Sequence, residues 1–136
     1  MEGTCIKHRV KKSKIQVDRK IIEKTLEDTQ VEKQVIVHCL YTDKNNNWQI
    51  QICKTTYLYD RDSSHKSKLI TAYNITVEPI WQDYRAGMTT KFTLVFSGLP
   101  KSCTSFDLFE ETDGGEFYSK KITRNNMDVY TVNIRS

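Results

Sequence analysis

The sequence predicts an all-β domain, an antiparallel sandwich of about seven or eight strands. Three observations carry that expectation. From residue 31 onward, short runs rich in β-branched and aromatic residues alternate apolar with polar side chains. Stretches rich in Asn, Asp, Ser and Gly separate these runs at regular spacing. No alternation of strand and helix patterns appears, which argues against a parallel α/β sheet.

The elements follow in order. Lys7, Arg9, Lys11, Lys12 and Lys14, beside His8, make residues 1–14 a basic amino-terminal arm, ahead of one domain over residues 15–136. "DRKIIEKTLEDTQ" has Ile22 and Leu26 four apart, as a helix would, but no N-cap stands at its start. Ile15 and Val17 alternate just before it, so residues 18–30 read as strand in preference to helix. "VEKQVIVHCLY" and "NNNWQIQICKTTYLYD" are strand runs, the second alternating Trp48, Ile50 and Ile52 against Gln49, Gln51 and Cys53. "TDKNNN" between them is turn composition and predicts a hairpin.

"DRDSSHKSK" reads as a polar loop, "LITAYNITVEPI" as a strand and "WQDYRAG" as a loop. "TKFTLVF" places Phe92, Leu94 and Phe96 on one face, and the Gly and Pro of "SGLPK" end it. "SFDLFE" and "EFYSKKI" flank Asp113-Gly114-Gly115, a strong hairpin signal. "MDVYTVNI" closes the chain with Tyr130, Val132 and Ile134 on one face.

Composition bounds the function classes. A chain of 136 residues can bury enough surface to fold without a metal or disulfide. The net charge of +4 is mild, and its concentration in the arm reads more plainly as a solvated segment than as a nucleic-acid contact, which is not expected here. The longest apolar runs fall far short of the ~20 residues that span a bilayer. No export signal opens the chain, so the cytoplasm is the default compartment, and the cell envelope remains open if a leader was removed.

Trp48-x-Ile50-x-Ile52, Thr56-Tyr57-Leu58, the run Gly87, Phe92, Leu94, Phe96, Leu99, Pro100, and then Phe106-Asp107 with Glu110 form an ordered set of motifs. Over residues 21–122 this set resembles an uncharacterised β-sandwich domain that recurs in proteins of the Bacteroidetes. The resemblance implies an immunoglobulin-like sandwich and brings no catalytic residues. The basic arm and the closing "TRNNMDVYTVNIRS" depart from the pattern.

Candidate sites were weighed against plainer roles. Cys5, Cys39, Cys53 and Cys103 include no Cys-x-x-Cys, so neither a zinc ribbon nor a thioredoxin-type motif is present. Cys103 follows Lys101, which favours a thiolate, but a thiol packed at a strand corner is commoner. In the predicted hairpin Cys39 and Cys53 face each other, which allows a disulfide; a one-residue slip removes it. His38 and Cys39 are strand neighbours pointing to opposite faces, and no metal-ligand set is assembled. Asp107, Glu110, Glu111, Asp113 and Glu116 lack the alternation of a calcium loop.

Trp81, Tyr84 and Arg85 are the best binding residues, because aromatics on a sandwich-end loop supply large rigid contact area. The plainer role for Trp81 is to plug the core. Asn74-Ile75-Thr76 matches a glycosylation sequon by pattern and sits in a predicted strand. With no nucleophile elbow, P-loop or dinucleotide fingerprint, the reading is a non-enzymatic module needing no cofactor and binding a protein partner or itself. The alternatives are a carbohydrate- or surface-binding module of the envelope and a thiol-dependent enzyme.

Overall fold

The computed structural model describes residues 33–112 and 117–136. The basic arm, the helix-or-strand segment 18–30 and the Asp113-Gly114-Gly115 turn lie outside the described residues. What is described is all-β, with no helix and 57% of residues in strands and bridges. The nine strands are β1 (Val35–Thr42), β2 (Trp48–Ile50), β3 (Thr56–Asp60), β4 (Lys66–Tyr73), β5 (Gln82–Tyr84), β6 (Thr89–Phe96), β7 (Ser105–Glu110), β8 (Tyr118–Thr123) and β9 (Val129–Ile134).

Seven of them form one sheet in the order β8-β7-β3-β4-β6-β1-β9, and β2 pairs with β5 in a small separate ribbon. The two outer strands of the large sheet meet where Tyr118 and Arg135 exchange backbone hydrogen bonds, both 2.9 Å. The sheet therefore nearly closes into a barrel. Seven strands cannot alternate in direction around a ring, so closure requires a parallel neighbour pair. That pair is β1 with β9, in the register Val37↔Tyr130, Cys39↔Val132 and Tyr41↔Ile134.

Period 2 decides which side chains fill the barrel. On β1, Val35, Val37, Cys39 and Tyr41 are buried, while His38 and Thr42 face out. Phe92, Leu94 and Phe96 do the same on β6, and Tyr130 and Ile134 on β9, with Val132 packed against them. Leu58, Phe106, Leu108 and Leu99 complete the interior. Burying each such side chain contributes about 1.5–3 kcal/mol, so this continuous core is the main source of stability.

Four expectations change. β1 pairs with β6 and β9, so the hairpin expected across "TDKNNN" is not made. The run "NNNWQIQICKTTYLYD" is two strands: Trp48–Ile50 leaves the barrel to pair with β5, and the chain returns as β3 after a turn in which the Thr56 hydroxyl donates to the Cys53 carbonyl at 2.6 Å. The expected loop "WQDYRAG" contains β5. The expected strand "LITAYNITVEPI" ends at Tyr73, because Asn74 takes a left-handed φ of 66°.

Candidate binding site

The two ends of the barrel hold different chemistry. At the end where β1 begins, three loops converge: residues 61–65, 97–104 and 124–128. Cys103 stands at the corner between β6 and β7, its N–H donating to the Pro100 carbonyl at 3.0 Å. Its thiol is buried, within reach of the Ser105 carbonyl at 3.4 Å and of the Asp60 carboxylate. Burial first, and then Asp60, push the thiol up to about 11, so it is protonated at neutral pH. Asp60 is buried too. That burial raises its pKa, but hydrogen bonds from Ser63, the Asp62 N–H and the Cys103 thiol outweigh it and hold the carboxyl below its usual range.

Beside Cys103, Arg124 clamps Asp128 with two bonds, Nε at 2.6 Å and Nη2 at 3.1 Å. Its Nη1 donates to the carbonyls of Pro100 at 2.8 Å and Cys103 at 3.2 Å. Tyr130 donates to Asp128 at 2.9 Å and accepts the Asn125 N–H at 3.0 Å. Burial pushes the Tyr130 hydroxyl up to about 12. Each strong donor in this network has a partner inside the loops. It ties loop to loop, and presents no poised nucleophile.

Cys39 is a free, buried thiol on β1, opposite Phe92 on one side and Val132 on the other. The Cys39–Cys53 disulfide is thus not formed: β1 never pairs with the segment carrying Cys53. Burial pushes the Cys39 thiol up to about 12.

The opposite end carries the β2–β5 ribbon, in the register Trp48↔Tyr84, Gln49↔Asp83 and Ile50↔Gln82. Here the three residues singled out from the sequence part company. Tyr84 turns inward, only 2% exposed, and packs against Tyr41 with centroids 5.1 Å apart and the rings tilted by 57°. Its hydroxyl donates to the Met88 carbonyl at 2.5 Å and accepts the Asp43 N–H at 2.5 Å. Tyr84 is therefore a clamp rather than a contact surface. Gly87, at φ 90°, closes the adjoining turn by donating its N–H to the Asp43 carbonyl at 2.8 Å, a conformation that favours glycine. Asp43 is held below the usual carboxylate range by the Asn46 side chain and the Asn45 and Asn46 N–H groups.

Trp81 and Arg85 face solvent, Trp81 42% exposed. They are joined by Trp48, 40% exposed. Around Trp48 lies an open cavity of about 470 Å³ lined by Asn47, Gln49, Asp83, Tyr84 and Arg85. Gln49 and Asp83 are bonded across the ribbon at 3.1 Å. Ile80, 61% exposed, precedes Trp81, and Met88 follows the ribbon. Sequence reasoning placed Trp48 in a half-buried strand and passed over Ile80 and Met88. The available signal was the company Trp48 keeps: three asparagines before it and Gln49 after it.

No family model, no curated protein and no solved structure matches this chain.

Proposed function

We propose that the chain is a non-enzymatic binding module that takes a protein partner on the surface around the β2–β5 ribbon. One observation carries the reading. Of the six exposed large hydrophobic side chains among the described residues, four (Trp48, Ile80, Trp81 and Met88) lie in or beside the ribbon. Arg85 stands among them. Trp and Arg beside aliphatic neighbours are the residues that carry most binding energy at protein interfaces. The sheet order and the buried hydroxyl of Tyr84 give this surface a rigid base, which lowers the entropy lost on association.

The test is affinity capture with crosslinking from the source cells. Crosslinks falling on residues 80–88, and lost in Trp81→Ala, support the reading. Crosslinks elsewhere, unaffected by that change, overturn it. A second copy of the chain recovered at those residues would make the module self-associating.

A second reading is favoured by the cavity itself. An indole ringed by Asn47, Gln49, Asp83 and Arg85 has the makings of a saccharide site: an apolar platform plus planar hydrogen-bonding groups. The chain's two tryptophans are both here, so tryptophan emission, excited apart from the tyrosines, reports on this surface. Emission unmoved by a broad glycan panel sinks this alternative.

The kinship with a Bacteroidetes immunoglobulin-like domain belongs to the same proposal. It is supported by the motif residues Ile50, Ile52, Leu58, Phe92, Leu94, Phe96, Leu99 and Phe106 all lying in the core, where a shared fold would keep them. A solved relative with two face-to-face sheets and these residues between them would strengthen it. One with an unrelated strand order would end it.

A further inference from the structure

A second surface has no role in that reading. The pairings Lys68↔Tyr57, Tyr57↔Phe109, Phe109↔Tyr118 and Tyr118↔Arg135 put five side chains in one row across the outer face of the sheet. Directly paired residues share a face, and neighbouring strands lie about 4.8 Å apart, so three aromatic rings fall within about 10 Å. All three are half-buried, standing in the sheet surface rather than beneath it. Tyr59 joins them, its ring 6.2 Å from that of Phe109.

The charges on this face are unevenly matched. Asp107 is paired with Arg61 at 2.9 Å, and Glu111 with Lys66 at 3.1 Å and with the Tyr59 hydroxyl. Lys66 also lies 4.2 Å from the Tyr57 ring centre, which closes that end of the row. Lys68, Lys120 and Arg135 make no ion pair among the described residues, and Lys120 hangs 5.6 Å from the Tyr118 ring. Among the described residues, both carboxylates on this face are neutralised, and the cations left over flank half-buried rings.

We infer that this face binds single-stranded nucleic acid, with unpaired bases on Phe109 and Tyr118 and phosphates against Lys68, Lys120 and Arg135. The excess positive charge selects a polyanion. Ring faces at strand spacing select one that can offer flat π surfaces, as bases do when they are not paired. The sheet, not the sequence, assembles these cations: residues 68, 120 and 135 are far apart in the chain. A search for a run of basic residues passes over them.

The experiment is fluorescence anisotropy of a labelled oligothymidine of about 12 nucleotides, a length in the range of known single-strand sites. Binding is expected to weaken with salt at a log–log slope of about −2, from three cations at ~0.7 each. Tyr118→Leu is expected to weaken it about tenfold, the scale of one lost stacking contact. Should Tyr118→Leu unfold, the exposed pair Lys120→Ser and Arg135→Ser keeps the test open, with the slope falling by about 1.4. Tryptophan emission should not move.

Absence of binding at low salt overturns the inference. So does equal affinity for duplex and single strand, or displacement of the oligonucleotide by a sulfated polysaccharide that Tyr118→Leu leaves unaffected. A shift in tryptophan emission would put the oligonucleotide on the ribbon and overturn it as well.

Discussion

The two ends of the barrel are built from similar materials and use them differently. At the Cys103 end, an arginine, two carboxylates, a tyrosine and a thiol lie in three converging loops or at the strand ends beside them, and their polar atoms answer one another. At the ribbon end Tyr84, Tyr41 and Asp43 are hydrogen-bonded too, but the network stops beneath the surface. Above it stand Trp48, Ile80 and Trp81, 40%, 61% and 42% exposed. A cluster of titratable residues thus marks the end that is finished, and an apolar patch over a finished network marks the end that is not. The first makes stability; the second is the surface proposed above for a partner.

This contrast predicts an order of effects. Arg124→Ala should be the most damaging change at either end, because it strands the buried Asp128 carboxylate. Removing one partner of such a pair costs about 3–5 kcal/mol. Thermal unfolding should show the loss, and a fall under about 1 kcal/mol would mean that water replaces the guanidinium.

Asp60→Asn comes next, at about 1–3 kcal/mol, with a pH signature. The folded carboxyl of Asp60 titrates below its unfolded range, so its contribution is present above about pH 4 and is lost as the pH falls through the folded value. Wild-type melting temperature should therefore drop more steeply below about pH 4 than that of Asp60→Asn. Parallel acid limbs would refute the assignment. Thiol labelling should come third: Cys39 and Cys103, pushed up to about 12 and about 11, should react with a disulfide reagent at neutral pH only on unfolding. A fast phase from either thiol in the folded protein would reopen the thiol-enzyme alternative.

The all-β class and most of the strands were legible in the sequence, but the sequence pointed to an antiparallel sandwich, and the near-closed mixed sheet with its parallel β1–β9 pair was not. Where a strand has one wet face, period 2 is plain: Phe92, Leu94 and Phe96, or Tyr130, Val132 and Ile134, were assigned to one face and share one. Pairing partners were not legible. The hairpin drawn across "TDKNNN" failed because turn composition says that a chain turns and not which strand receives it. β1 instead found β6 and β9, at distances in sequence that no local signal carries. β5 hid inside a loop because three residues are too short for a periodic pattern.

Of the candidate site, Trp81 and Arg85 were legible as loop residues, and Tyr84 was misjudged because an amphipathic ring reads alike on a surface and in a core. The aromatic row of Tyr57, Phe109 and Tyr118 was invisible, since it exists only after three strands are laid side by side.

The smallest expected effect on stability is the most telling for function. Trp81 is 42% exposed, and none of its atoms takes part in the Tyr84–Asp43 network below it. Trp81→Ala should therefore leave the unfolding free energy within about 0.5 kcal/mol of wild type, as surface changes generally do. If the ribbon is an interface, the same change should weaken association by about 2 kcal/mol or more, roughly thirtyfold, because a central indole carries that much at protein contacts. The ratio of the two effects separates a contact residue from a plug. A large loss of stability with association weakened in proportion would return Trp81 to the core-covering role, and the two ends of the barrel would then differ in composition but not in purpose.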